Sequence, residues 1–143
     1  MNMLAVRIGA RDYLIDLPEA GAIVAVPAVT PVPFTQRWYR GVANLRGQLT
    51  AVIDLAEYAG AGHTSLDKDS GLITFGAGLH FHAGILVTRI LGLRNAAAMR
   101  AVSGETPAVP WLGRELHDGE SRPWLPLSLA RLTREERFLQ AGR

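Results

Sequence analysis

The chain has 143 residues, of which 48% are hydrophobic and 20% charged, a length and composition typical of one folded domain and not of a disordered segment. It contains no cysteine, which excludes disulfides, thiol nucleophiles and thiolate metal sites. The formal net charge is only +2, and the basic residues are dispersed singly instead of forming the basic stripe or patch of a nucleic-acid binder.

No segment is expected to enter or cross a membrane. Arg7 lies so close to the N-terminus that the apolar stretch before it is too short for a signal sequence. The longest apolar stretch, Phe81–Leu93, contains His82 and Arg89 and is too short to span a bilayer. We therefore expect a cytoplasmic protein with no direct membrane insertion.

The first part of the chain predicts short strands, at Met3–Ile8, Tyr13–Leu17 and Gly21–Val26. The first two flank a turn at residues 9–12 and so predict a hairpin. Three prolines between residues 27 and 33 exclude a regular helix and predict an extended connection. One short helical turn is expected at residues 34–40.

A second hairpin is predicted in the middle of the chain. The apolar runs Val42–Leu45 and Leu49–Leu55 flank Arg46-Gly47-Gln48, where glycine supplies the unusual backbone conformation of a tight turn. A short helix should follow, since Asp54 with a glutamate three residues later is typical of a helix start and Gly60 of a helix end. Residues 59–70 are small and polar and predict an exposed loop.

Further strands are predicted at Leu72–Phe75, Leu79–Leu93, Trp111–Leu116 and Trp124–Leu129. Gly84 and Gly92 indicate bends or bulges within the long apolar run. Thr133 and Glu136 are a second candidate capping pair, so a terminal helix is expected over residues 134–140. Short strands at close spacing, with glycine and proline at the corners, predict a mostly β fold of small closed barrels.

The segment Gly41–Leu55, GVANLRGQLTAVIDL, resembles the signature of CheW-like domains, roughly G-V-x-N-L-R-G-x-h-x-P-h-h-D-L with h apolar. Residues 83–90 and 125–129 are similar, more loosely, to later strands of that family. The resemblance covers nearly the whole chain, and residues 1–143 are therefore expected to be a single CheW-like domain. It implies two packed, small five-stranded (SH3-like) barrels with short helices.

The resemblance also implies a function: a non-catalytic adaptor without a cofactor. Such proteins couple the tip of a methyl-accepting chemoreceptor, held in the groove between the barrels, to the regulatory domain of a CheA-like histidine kinase, held at barrel ends. Within the family, residues 38–44 and 124–139 look closest to PilI-like proteins. Those serve the chemotaxis-like pathway of type IV pili and twitching motility.

Three positions depart from the family's pattern. Ala22 stands where the family often has a glutamate able to pair with the signature arginine, Arg46 in this chain. Ala51 stands in place of a proline, and Thr88 in place of an aspartate. These departures indicate a divergent member whose partner contacts have changed.

The candidate partner-binding residues are Val42, Asn44, Leu45, Arg46, Gly47 and Ile85. Arg46 offers a planar set of donors for a carboxylate or for carbonyl groups, or alternatively ties its own hairpin to a neighbouring loop. Asn44 either reaches a partner or satisfies local backbone groups. Gly47 shapes the turn, and the three aliphatic residues either line a groove for a receptor helix or lie in the core.

Other functions find weaker support. A small β-barrel nucleic-acid-binding protein is the alternative, based on the basic isoelectric point and the barrel fold. His80 and His82 would share one face of a strand and invite a metal, but no third ligand is evident nearby. The sequence has no G-x-S-x-G, Walker loop, H-E-x-x-H or dinucleotide fingerprint. We therefore expect that the protein is not an enzyme.

Overall fold

The structure, a computed structural model, describes residues 2–102 and 107–140. The strands in these ranges are β1 (Asn2–Ile8), β2 (Arg11–Asp16), β3 (Ala20–Ala25), β4 (Tyr39–Leu45), β5 (Gln48–Ile53), β6 (Gly71–Phe75), β7 (Ala83–Val87), β8 (Arg89–Asn95), β9 (Arg100–Ala101), β10 (Leu116–His117) and β11 (Pro123–Leu127). The short helices are α1 (Leu55–Tyr58), α2 (Leu129–Leu132) and α3 (Glu136–Leu139), and 3₁₀ turns lie at Leu17–Glu19, Ala77–Leu79 and Ala96–Ala98.

The strands form two sheets. The first has six strands in the order β8-β1-β2-β11-β10-β9, and the second has five in the order β3-β6-β7-β5-β4. Most neighbours are antiparallel, but β11 pairs in parallel with β2, and β5 with β7. The predicted mostly β fold is confirmed. The first sheet has six strands because the two-residue strand β9 adds to its edge.

The central strands of both sheets are buried on both faces. In β1, Leu4 and Val6 face a core shared by the two sheets, whereas Met3 and Ala5 pack with Trp124 in a core of the first sheet alone. The second sheet divides in the same way, between the shared core (Ile53, Ile73, Ile85) and its own (Val52, Leu72, Leu86). The period-two alternation of a strand therefore serves two cores at once.

The apolar run predicted as one strand over Leu79–Leu93 is two strands in different sheets. The chain passes from β7 in the second sheet to β8 in the first at Thr88, whose N–H donates to the Arg7 carbonyl (2.8 Å) and whose hydroxyl accepts from the Gly9 N–H (3.0 Å). Gly92, at a φ of 91°, lies opposite a register shift in β1, which confirms the bulge predicted at this glycine.

Two further predictions were wrong, the helical turn at residues 34–40 and the strand over Trp111–Leu116, of which only Leu116 lies in a strand, β10. Residues 34–38 form turns and not a helical segment, and β4 begins at Tyr39. The start of this strand is fixed by the N–H of Asp54, which donates to the Trp38 carbonyl. The terminal helix predicted over residues 134–140 is confirmed as α3, but a separate helix, α2, precedes it and is capped by Ser128, which accepts from the Arg131 N–H. Thr133 ends that helix, its hydroxyl donating to the Ala130 carbonyl, instead of starting the next.

The C-terminal helix α3 closes the shared core with one aromatic side chain. Phe138 is fully buried, and its ring lies 5.4–5.9 Å, centroid to centroid, from the rings of Trp38, Tyr58, Phe75 and Phe81. Just before the helix, Glu135 accepts a hydrogen bond of 2.5 Å from the Tyr58 hydroxyl. Burial and this carboxylate raise the pKa of Tyr58, so that the hydroxyl stays a donor.

Phe138→Ala is expected to destabilise the protein by about 3–5 kcal/mol, the usual result of deleting a buried aromatic side chain. The neighbouring Leu139→Ala is the control, since Leu139 is 45% exposed and surface substitutions change stability by roughly 0.5 kcal/mol or less. Urea denaturation followed by tryptophan fluorescence measures both. Equal losses in the two variants would contradict the central position of Phe138.

Candidate functional site

The tip of the β4–β5 hairpin is a two-residue turn. Leu45 pairs with Gln48, which leaves Arg46 and Gly47 at the turn with φ values of 53° and 80°. Positive φ at both central positions is the requirement of a type I′ turn. Glycine adopts this conformation freely, whereas an ordinary L-residue such as arginine is strained there by about 1–2 kcal/mol.

Asn44 stabilises this turn from within the hairpin. Its Oδ1 accepts a hydrogen bond of 2.8 Å from the N–H of Gly47. Of the two roles considered for Asn44, the structure therefore shows the local one for its oxygen. The –NH₂ group of the same side chain remains a donor, since an amide carries both functions.

The base of the hairpin is fixed by Asp54, which is fully buried. Oδ1 accepts from the Thr64 hydroxyl (2.6 Å) and from the Glu57 N–H (3.2 Å). Oδ2 accepts from Arg40 Nη2 (2.8 Å) and from the Thr64 N–H (2.9 Å). The predicted helix cap at Asp54 is confirmed. Its hydrogen bonds with Arg40 and Thr64 were not predicted, because contacts between residues distant in sequence leave no local sequence pattern.

The protonation of Asp54 follows from these contacts. Burial alone would raise the pKa of the carboxyl group, but the hydrogen bonds from Thr64, Arg40 and Glu57 outweigh it and hold the pKa below its ordinary value. A carboxylate that receives several hydrogen bonds is stabilised in its charged form. Asp54 therefore stays ionised and keeps Arg40 in place.

A groove with a cavity volume of about 300 Å³ opens beside the hairpin. It is lined by residues of β3, β4, β5 and β6 and of the segment leading into β7: Ala22, Val24, Asn44, Leu45, Arg46, Gln48, Thr50, Thr74, Phe75, Phe81, His82 and Ala83. Phe75 and Phe81 lie directly over Phe138, so that the shared core supports one wall of the groove.

Three of the six predicted partner-binding residues, Asn44, Leu45 and Arg46, line this groove. Gly47 is exposed at the turn beside them, and Val42 is half-buried, its backbone paired with Thr30. Ile85 is fully buried in the shared core. A surface role for Ile85 is therefore corrected, because its place on the central strand β7 turns the side chain away from any partner.

Sequence reasoning missed Phe75, Phe81 and His82 as groove residues. They are distant from the hairpin in sequence, and only the pairing of β5 with β7 and of β6 with β3 brings them beside it. Ala22 was noted as a departure from the family, and it lines the same groove as Arg46.

The histidines do not form the arrangement expected of them. His80 has a left-handed φ of 53° after the 3₁₀ turn, and neither His80 nor His82 lies in a strand. Among the described residues, Asp54, Glu57 and His63 have ligand atoms within 4.8 Å of one another. Both oxygens of Asp54 already accept two hydrogen bonds each from within the protein.

The described helices are all too short or too polar to cross a membrane.

Comparison with known proteins gives consistent relationships. A family model described as a CheW-like domain matches residues 2–137. Protein PilI of Pseudomonas aeruginosa is 26% identical over 141 residues, which cover 95% of this chain and 77% of PilI. The chemotaxis protein CheW of Thermotoga maritima is 26% identical over 92 residues, which cover 64% of this chain and 60% of that protein.

A solved structure shares the fold. The scaffolding protein TtCheW from Thermoanaerobacter tengcongensis superposes with a TM-score of 0.76 over 99% of this chain and 94% of that chain, at 20% sequence identity. The predicted two-barrel type of fold is thereby confirmed.

Asp54→Asn is expected to cost about 3–5 kcal/mol at neutral pH, because it leaves the half-buried Arg40 without its charge partner. Since the pKa of Asp54 is lower in the folded than in the unfolded chain, its stabilisation is present above about pH 4 and is lost as the pH falls through the folded-state pKa. Urea denaturation between pH 7 and pH 2 should therefore show that the free energy of unfolding falls more steeply with decreasing pH in the wild type than in the variant.

The control for this comparison is Asp69→Asn, a substitution of an exposed aspartate in the loop between α1 and β6. It should keep both the neutral stability and the acid slope of the wild type. If Asp54→Asn also kept the wild-type slope, the hydrogen-bonded carboxylate would not be the origin of the acid sensitivity assigned to it.

Proposed function

The chain belongs to the CheW-like domain family, and on that premise we propose that it is a non-catalytic adaptor that couples chemoreceptors to a CheA-like histidine kinase. The receptor tip would occupy the groove beside the β4–β5 hairpin, which is lined by the second sheet and the segment leading into β7 instead of by both barrels. The kinase regulatory domain would bind elsewhere, at barrel ends. Residues 1–143 would act as one domain in the cytoplasm. No cofactor or catalytic group is needed for this role.

The observation that carries the proposal is the contrast between the two ends of the hairpin. At its base every oxygen of Asp54 is engaged. At its tip, Arg46 is exposed and has no hydrogen-bond or ion-pair partner within residues 2–102 and 107–140. A strained, exposed arginine beside an apolar groove contributes nothing evident to folding, and such positions are typical of binding sites.

A branch of the family is proposed as well. PilI matches across 95% of this chain, whereas the Thermotoga maritima chemotaxis protein CheW matches across 64%. The wider match supports a place in the chemotaxis-like signalling of type IV pili and twitching motility instead of swimming.

The nucleic-acid alternative gains no support from the geometry. Arg7 and Arg122 both bind Asp12, while Arg40 binds Asp54. These guanidinium groups are engaged within the protein, and exposed basic groups in a continuous stripe are what phosphate binding requires.

Calorimetric titration with two fragments from the same genome tests the proposal: the regulatory domain of the CheA-like kinase and the soluble tip of a chemoreceptor. We expect micromolar binding of each. Arg46→Ala should leave the kinase affinity unchanged and weaken the receptor affinity. Failure of the folded protein to bind either fragment at tens of micromolar would contradict the adaptor function.

Arg46→Asn separates binding from folding. Asparagine tolerates the left-handed conformation, and Asn-Gly is a favoured pair in type I′ turns, so stability should rise by up to about 1 kcal/mol, measured by urea denaturation. Receptor affinity should fall at least about tenfold, because a hydrogen bond to a charged group is lost. An unchanged or tighter receptor affinity in the folded variant would contradict a binding role for Arg46, and a loss of stability would contradict the strain assigned to it.

A further inference from the structure

The groove beside the hairpin has an apolar interior and a polar rim, and the state of each rim group decides what the groove can bind. The interior includes Val24, Leu45, Phe75 and Phe81. Such a surface is suited to aliphatic or aromatic side chains of a protein partner. The rim includes Asn44, Arg46, Thr74 and His82.

Two acceptor groups of this rim, the side-chain oxygens of Asn44 and Thr74, are engaged within the protein. The oxygen of the Asn44 side chain is bound by the Gly47 N–H (2.8 Å). The hydroxyl of Thr74 accepts from the Ala22 N–H (2.7 Å) and donates to the Ala22 carbonyl (3.3 Å), which bridges the register shift in β3. Donors remain: the amide of Asn44 and the guanidinium of Arg46, which has several N–H groups and no acceptor.

The groove also lacks a negative charge of its own. Every one of its lining residues is apolar, neutral polar, histidine or arginine, without an aspartate or glutamate. Ala22 is exposed on the same lining, and its side chain is an uncharged methyl group. A planar guanidinium with free donors is best matched by a carboxylate, which accepts two parallel N–H bonds.

From these observations we infer that the partner segment held in the groove presents an aspartate or glutamate side chain to Arg46, flanked by apolar residues that contact the groove interior. This inference rests on the proposed function and specifies the chemistry of the partner at that site. The apolar interior favours a protein segment over a nucleic acid, whose phosphates would match the arginine but leave the interior unfilled.

Supplying the missing carboxylate from the protein itself tests the inference. Ala22→Glu places an acid in the groove lining, where it would pair with Arg46 and compete with the partner's carboxylate. Ala22→Gln is the matched control, because glutamine has almost the same size and shape without the charge. Ala22 is exposed at an irregular position of an edge strand, so both variants should fold, which circular dichroism and urea denaturation check.

Affinity for the soluble receptor-tip fragment is measured for the wild type and both variants, at low and at high sodium chloride. We expect Ala22→Gln to bind within about threefold of the wild type and Ala22→Glu at least about tenfold more weakly, the difference that one lost charge-assisted hydrogen bond produces. The wild-type affinity should fall with salt, and the affinity of Ala22→Glu should fall less.

Equal binding by the Glu and Gln variants, or equal weakening of both, would overturn the inference while leaving the adaptor function in place. A wild-type protein that binds no receptor tip would instead overturn the proposed function itself. The two failures are therefore distinguishable in one set of titrations.

Discussion

The structure depends on one constraint: each of the two sheets is small and must bury a face of its central strands against the other. The shared core satisfies it, with Leu4 and Val6 of β1 on one side and Ile73 and Ile85 of β6 and β7 on the other. Neither sheet could bury this surface alone, because a small sheet exposes too much of its area. The chain therefore passes from the second sheet to the first at residue 88. Its C-terminal helix α3 then packs Phe138 into the shared core.

This shared core decides where the candidate site lies. Phe138 supports Phe75 and Phe81 from below, and these two rings form part of the groove beside the β4–β5 hairpin. The hairpin is held at its base, where Asp54 binds Arg40 and Thr64. At its tip it carries Arg46, which has no side-chain partner among the residues that the structure describes. A partner segment that binds this groove, as proposed, would meet a preformed surface, which lowers the entropic cost of association.

The sequence predicted most strands and the hairpin turn, because period-two alternation, glycine and proline act over a few residues. It misassigned Leu79–Leu93 as one strand, since a continuous apolar run has the same pattern whether or not the chain changes sheet within it. It placed Asn44, Leu45 and Arg46 at the site through a resemblance to a family signature. The opposite wall of the groove, with Phe81 and His82, depends on long-range pairing that no local pattern encodes.

The measurement that tests the central claim most directly is a two-dimensional NMR titration of isotope-labelled protein with the soluble receptor tip. The account predicts that amide signals change chiefly at the hairpin tip and the groove, above all at Arg46, Gly47, Ala22 and His82. Signals of the first sheet's far edge, β9 and β10, should stay unchanged. Changes centred on that edge, with the groove signals unaffected, would contradict the assignment of the groove as the partner-binding site.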